Sequence, residues 1–202
     1  MAPAASNGRA PEDRPLVGVL ALQGGFGAHA KVLRELGADV REVRTPADLD
    51  GLDGLVMPGG ESTTMTLGIE REGLAGPLRD FHAAGRPIFG TCAGLIMLDR
   101  EHLGLMDIVA RRNAFGRQLH SFEEDLQFPG MDGGPVRAVF IRAPWISEHG
   151  AGVEVLAEVD GHPVAAREGS LLAISFHPEL GDDRRLHQAF LAQVRAARDG
   201  GR

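Results

Sequence analysis

Apolar residues in this 202-residue chain fall into short runs separated by glycine-rich breaks. The run LVGVLAL at 16–22 is nearly continuous and ends in QGGFG, the pattern of a buried strand followed by a turn. A helix is expected from Ala28 to Leu36, stopped by Gly37. ADVREV alternates like a strand. GLDGLVMPGGES supplies another short strand that breaks into Pro58-Gly59-Gly60, with one helix expected from Ser62 to Phe81. RPIFG is a fourth strand, and CAGLIMLD opens a helix. Strands alternating with helices predict an α/β three-layer sandwich around a mostly parallel sheet.

The second half reads differently. VRAVFI, VEVLAEV, VAAR and LLAISF are strand-like, with turns at Asp160-Gly161 and Glu168-Gly169. They predict antiparallel additions to the sheet before a last helix from Asp183 to Arg198. With no internal repeat and no mid-chain linker, a single domain is expected over 15–198, preceded by a disordered tail at 1–14.

Composition narrows the function. Hydrophobic residues make up 43%, enough for a real core. The formal charge of −7 argues against nucleic acid or an anionic membrane as partner. No apolar run is long enough to span a bilayer. One cysteine cannot form an internal disulfide, and nothing argues for export, so a cytoplasmic protein is expected.

That lone cysteine is the candidate nucleophile. Gly90-Thr91-Cys92-Ala93-Gly94 lies between a strand and a helix, the layout of a nucleophile elbow with sulfur in place of oxygen. Such a turn pushes the nucleophile out at the carboxyl edge of the sheet, where open α/β sheets bind ligands. A helix N-terminus there favours the thiolate, and the Ala93 N–H is a candidate oxyanion donor. The bland alternative is a small buried core residue.

A thiol nucleophile needs a histidine oriented by an acid. His177 follows the strand LLAISF and precedes Pro178 and Glu179. An extended backbone across Pro178 is expected to bring His177 and Glu179 to one side. His29, His82, His102, His120, His149, His162 and His187 sit among polar residues and read mostly as solvated groups. MPGGES also ends a strand. Its Gly59 and Gly60 permit close backbone approach as a second oxyanion donor, and Ser62 is expected to cap the next helix. QGGFG lacks the full dinucleotide-binding spacing.

These residues together resemble a triad-type glutamine amidotransferase, and more closely the glutaminase subunits of pyridoxal 5′-phosphate synthase. The likeness runs from Leu16 to Arg195 through GVLALQG, PGGESTTM, GTCAGL, RRNAFGRQ, SFEEDL, VFIRAPW and SFHPE. It implies that Cys92 attacks the carboxamide of L-glutamine to give a γ-glutamyl thioester, with His177 moving protons and Glu179 orienting it. It implies substrate contacts from Gly60, Glu61, Ser62, Arg112, Ile141 and Arg142, and an oxyanion hole at Gly59, Gly60 and Ala93. It also implies no metal or cofactor, and a barrel-shaped synthase subunit as partner that receives the ammonia and makes pyridoxal 5′-phosphate. Two features depart from the family pattern: the short HLGLMDIVA segment and the glycine-rich GGFGAH turn. Two other classes share part of this pattern. A cysteine hydrolase or peptidase of similar fold shares the elbow and histidine, and a non-catalytic regulatory subunit shares the fold.

Overall fold

The computed structural model describes residues 14–112, 114–115 and 121–200. The expected tail at 1–14 lies outside them except for Arg14, as do Asn113, His120 and the end of RRNAFGRQ.

The first half builds the parallel part of the sheet. Strands β1 (Leu16–Leu20), β2 (Asp39–Val43), β3 (Gly54–Met57) and β4 (Ile88–Thr91) alternate with helices α1 (Phe26–Glu35), α2 (Ser62–Arg71), α3 (Ala75–Ala83) and α4 (Ala93–Leu98). The remaining strands are β5 (Ile108–Arg111), β6 (Ser121–Leu126), β7 (Val136–Ile141), β8 (Trp145–His149), β9 (Glu154–Val159), β10 (His162–Glu168) and β11 (Leu171–Ile174), and helix α5 (Arg185–Gly200) follows. The seven-stranded sheet has the order β2-β1-β3-β4-β11-β10-β9. β2 through β11 pair in parallel, and β10 and β9 add the antiparallel edge. Two ribbons, β5–β8 and β6–β7, stand outside it.

Alternation along β1 gives the sheet two apolar faces. Val17 and Val19 pack with Leu33 of α1 and Phe190 and Val194 of α5. Leu20 packs on the other face, with Met65 of α2, Leu78 of α3 and Leu95 of α4. The fold is thus the expected α/β three-layer sandwich, with a mostly parallel sheet and antiparallel additions.

Two readings need correction. The single helix expected over 62–81 is two helices. Gly73 has φ +65°, its N–H bonds to Glu70, and the Leu74 N–H reaches back 2.9 Å to the Ile69 carbonyl. This left-handed cap ends α2 and buries Leu74 completely. β5, β6 and β8 were not expected. In β6 three exposed acidic residues sit between Phe122 and Leu126, and Arg137 of β7 bridges Glu123 and Asp125 across the ribbon, so cross-strand pairing outweighs the weak apolar signal.

Parallel pairing decides where the site falls. Met57 stands opposite Gly90, and Ile174 opposite Thr91, so β3, β4 and β11 end at one rim. The loops that leave this rim carry Gly59 to Ser62, Cys92 and His177 to Glu179. The chain after β1, at Gly24 and Gly25, joins them.

Candidate active site

Cys92 sits at the turn from β4 into α4 with φ +50° and ψ −106°, a backbone conformation rarely adopted by a side chain-bearing residue. Its N–H is held by the Ile174 carbonyl at 2.8 Å. The flanking glycines answer a packing demand. A Cβ on Gly94 would collide with the Met57 carbonyl oxygen, and one on Gly90 would lie 2.7 Å from the Gly94 carbonyl. The elbow therefore fits only because both positions lack a side chain. The helix it opens has six residues, so little macrodipole is available to hold a negative sulfur.

His177 and Glu179 meet differently from the expected extended path. The Leu180 N–H approaches the His177 carbonyl at 3.4 Å, closing a turn over Pro178 and Glu179. The turn folds the carboxylate back, and Glu179 Oε1 lies 2.9 Å from His177 Nδ1. Proline at the second position of the turn suits this bend. The His177 backbone N–H is anchored to the Val139 carbonyl of β7 at 2.9 Å.

Cys92 and His177 converge on Gly59. A Cβ placed there would lie 3.0 Å from His177 Nδ1 and 3.1 Å from Cys92 Cβ. Sulfur, imidazole and carboxylate thus share one rim. Burial pulls the His177 imidazole downward, but its hydrogen bonds to Cys92 and Glu179, and their charges, push it up to about 10. Glu179 moves below the usual carboxylate range: burial opposes this, and the His177 hydrogen bond and the two nearby imidazoles, His29 and His177, outweigh it.

These groups line a cavity of about 630 Å³. Gly60, Glu61, Ser62, Ala93, Arg112, Ile141 and Arg142 all border it. Arg112 donates to Ser62 Oγ and Thr63 Oγ1, both at 3.0 Å. Ile141 offers its carbonyl 3.9 Å from the Cys92 sulfur. Arg142 is a second strained residue, at φ +46°. The Gly59 carbonyl accepts from the Gly25 N–H at 3.0 Å, so the trans peptide turns the Gly60 N–H to the opposite side.

Three assignments change. Glu61, rather than Ser62, caps α2: its carboxylate accepts from the Thr63 and Thr64 N–H groups at 3.0 and 2.7 Å. Hydrogen bonds from Thr64 and Thr63 lower Glu61 to about 2. His29 and His187, read as solvated, are completely buried. His29 lies directly behind Glu179, its Nε2 3.3 Å from Oε2. Gln23, Pro144 and Leu180 were not singled out either: Gln23 Oε1 accepts from the Glu61 N–H at 2.6 Å, and the other two border the cavity. Among the described residues no cluster of three or more His, Cys, Asp or Glu is arranged to hold a metal ion.

The profile of the SNO glutamine amidotransferase family matches residues 19–196. The chain belongs to this family. Relatives of this amidotransferase agree over most of its length. The pyridoxal 5′-phosphate synthase subunit PdxT of Acidothermus cellulolyticus is 53% identical over 200 residues, covering 92% of this chain and 97% of that protein. The protein of the same name from Geobacillus kaustophilus is 54% identical over 189 residues, covering 90% and 96%. A solved structure described as a glutamine amidotransferase superposes on this amidotransferase with a TM-score of 0.83 at 46% identity, covering 88% of this chain and 98% of that one.

Proposed function

We propose that this amidotransferase hydrolyses L-glutamine to glutamate and ammonia, with Cys92 as nucleophile, His177 as proton carrier and Glu179 as its orienting acid. The observation that carries the reading is the convergence of Cys92 and His177 on Gly59, with Glu179 Oε1 holding His177 Nδ1. A raised His177 suits an imidazolium paired with a thiolate.

The sulfur attacks the carboxamide carbon and forms a C–S bond. The oxygen gains negative charge, which the N–H groups of Gly60 and Ala93 stabilise, with Gly59 keeping the approach open. His177 gives its proton to the nitrogen, the C–N bond breaks, and ammonia leaves a γ-glutamyl thioester. His177 then takes a proton from water, whose oxygen attacks the thioester and releases glutamate and the thiolate. Arg112 and Arg142 hold the substrate carboxylate, with Glu61, Ser62 and Ile141 shaping the rest of the subsite.

The relatives' name points to a pyridoxal 5′-phosphate synthase as the destination of the ammonia. We assign a barrel-shaped synthase subunit as partner, with residues 15–198 as one amidotransferase domain acting in the cytoplasm. Ile141 and Leu180 expose apolar surface at the cavity mouth, which a docked subunit would cover. No helix among the described residues is long and apolar enough to cross a membrane.

The test is ammonia release from glutamine by the full chain mixed with the synthase subunit. Turnover lost in Cys92→Ala with the fold retained is expected; equal turnover in that variant would end the reading.

A further inference from the structure

Glu179 has two oxygens, and the triad uses one. Oε2 is buried and makes no well-aligned hydrogen bond. On its far side lie three completely buried polar residues from three different elements: His29 of α1, Thr91 of β4 and His187 of α5. His29 Nε2 stands 3.2 Å from Thr91 Oγ1 and 3.3 Å from Glu179 Oε2. His29 Nδ1 stands 2.9 Å from His187 Nε2. His187 Nδ1 has no partner.

These contacts allow only one economical placement of hydrogens. A bare Nε2 on His29 would bring its lone pair within 3.3 Å of a carboxylate oxygen. It would also require His187 to accept at Nε2, leaving the Nδ1–H of His187 buried without an acceptor. With the proton on Nε2, His29 donates into the space between Thr91 and Glu179. Its Nδ1 then accepts from His187, and of the four ring nitrogens a lone pair goes unmatched only at His187 Nδ1. Among the ring nitrogens, the partnerless atom is the one this arrangement leaves over.

We propose that His29 is a positioning residue for the glutaminase triad: held in its Nε2–H tautomer by His187, it sets the positive end of its N–H dipole behind the second oxygen of Glu179 and keeps that carboxylate ionised and aimed at His177. This rests on the glutaminase reading above. A neutral donor suits the task, because a cation in the same place would compete with the His177 imidazolium for the carboxylate charge. Burial holds His29 down to about 4, with Glu179 pulling it up and His177 opposing. Burial likewise holds His187 down to about 3, with His29 and Arg184 lowering it and Glu179 raising it. His29, His177, His187, Glu179 and Arg184 are therefore the titratable and charged groups that set the local field.

The experiment measures glutamine turnover against pH for the full chain in complex with the synthase subunit. His29→Leu removes the donor. We expect kcat to fall at least about tenfold with KM changed less than about threefold, and the acid limb of kcat to move up by about one pH unit. A second pair guards against misfolding. His29→Gln puts an amide N–H near the position of Nε2, and His29→Asn puts one near Nδ1. Gln is expected to keep activity within about threefold and to leave the limb in place, whereas Asn behaves like Leu. A folded His29→Leu with unchanged kcat and limb, or equal losses in Gln and Asn, would overturn the proposal. Absence of turnover by the unmodified chain would overturn the glutaminase reading itself, and this inference with it.

Discussion

Glu179 Oε1 lies 2.9 Å from His177 Nδ1, and a turn through Pro178 joins the two residues. The carboxylate reaches the imidazole because the chain reverses, so its aim depends on a local bend two residues long. Glu179→Gln keeps the shape of the side chain but removes the charge and presents either an amide donor or a weaker acceptor to Nδ1. We expect kcat for glutamine to drop on the order of 10²–10⁴-fold with little change in melting temperature. Steady-state kinetics at fixed pH, alongside thermal denaturation, checks this.

Gly59 lies against both Cys92 and His177. A methyl group there overlaps the His177 ring and crowds Cys92 Cβ at 3.1 Å. Gly59→Ala is expected to lower kcat by about 10² or more while the far edge of the sheet, β9 and β10, keeps its structure. Hydrogen exchange on those strands, together with turnover, distinguishes this from general unfolding.

Arg112 bridges Ser62 and Thr63 at the opening of α2. If it also holds the glutamine carboxylate, Arg112→Ala raises KM by about tenfold or more, with a smaller effect on kcat. Arg112→Lys keeps the charge and loses the planar fork, so only partial recovery is expected. An unchanged KM in both variants would remove Arg112 from the subsite.

The buried histidines give stability a pH signature. His29 and His187 sit below their unfolded value, so the unfolded chain binds protons that the folded chain refuses. Their contribution is fully present above about 6.5 and is lost as pH falls towards about 4 for His29 and about 3 for His187. His177 has the opposite sign: its contribution is complete below about 6.5 and fades as pH rises towards about 10. Between pH 6.5 and 5 the two buried histidines therefore dominate, each costing on the order of 2 kcal/mol at pH 5. Denaturant unfolding across this window should show a stability decline that is shallower in His187→Phe. A parallel decline in that variant would contradict the assignment.

The sequence points to Cys92 and His177 more readily than to the residues packed behind them. Cys92 stands out because the elbow needs glycines at 90 and 94, and His177 because it follows an apolar strand. His29 and His187 are harder to see because each lies on the buried stripe of an amphipathic helix. His29 shares its face with Leu33, and His187 shares its face with Phe190, Leu191 and Val194. A histidine in phase with apolar neighbours was the signal for burial. What it touches, across 158 residues to another helix, is set by tertiary packing that no local window contains. The break at Gly73 was visible as a glycine, but the helical pattern on both sides masked it. The turn at Pro178 shows the converse: the sequence pairs His177 with Glu179 along an extended path, and the backbone brings the two together through a turn instead.

The central claim is that Cys92 carries the acyl group. Acid quenching of the chain–synthase complex during glutamine turnover, followed by peptide mass mapping, tests it most directly. A γ-glutamyl adduct on the peptide containing Cys92, absent without glutamine, is the predicted result. Steady ammonia release with no adduct on Cys92, and undiminished release by Cys92→Ala, would contradict it.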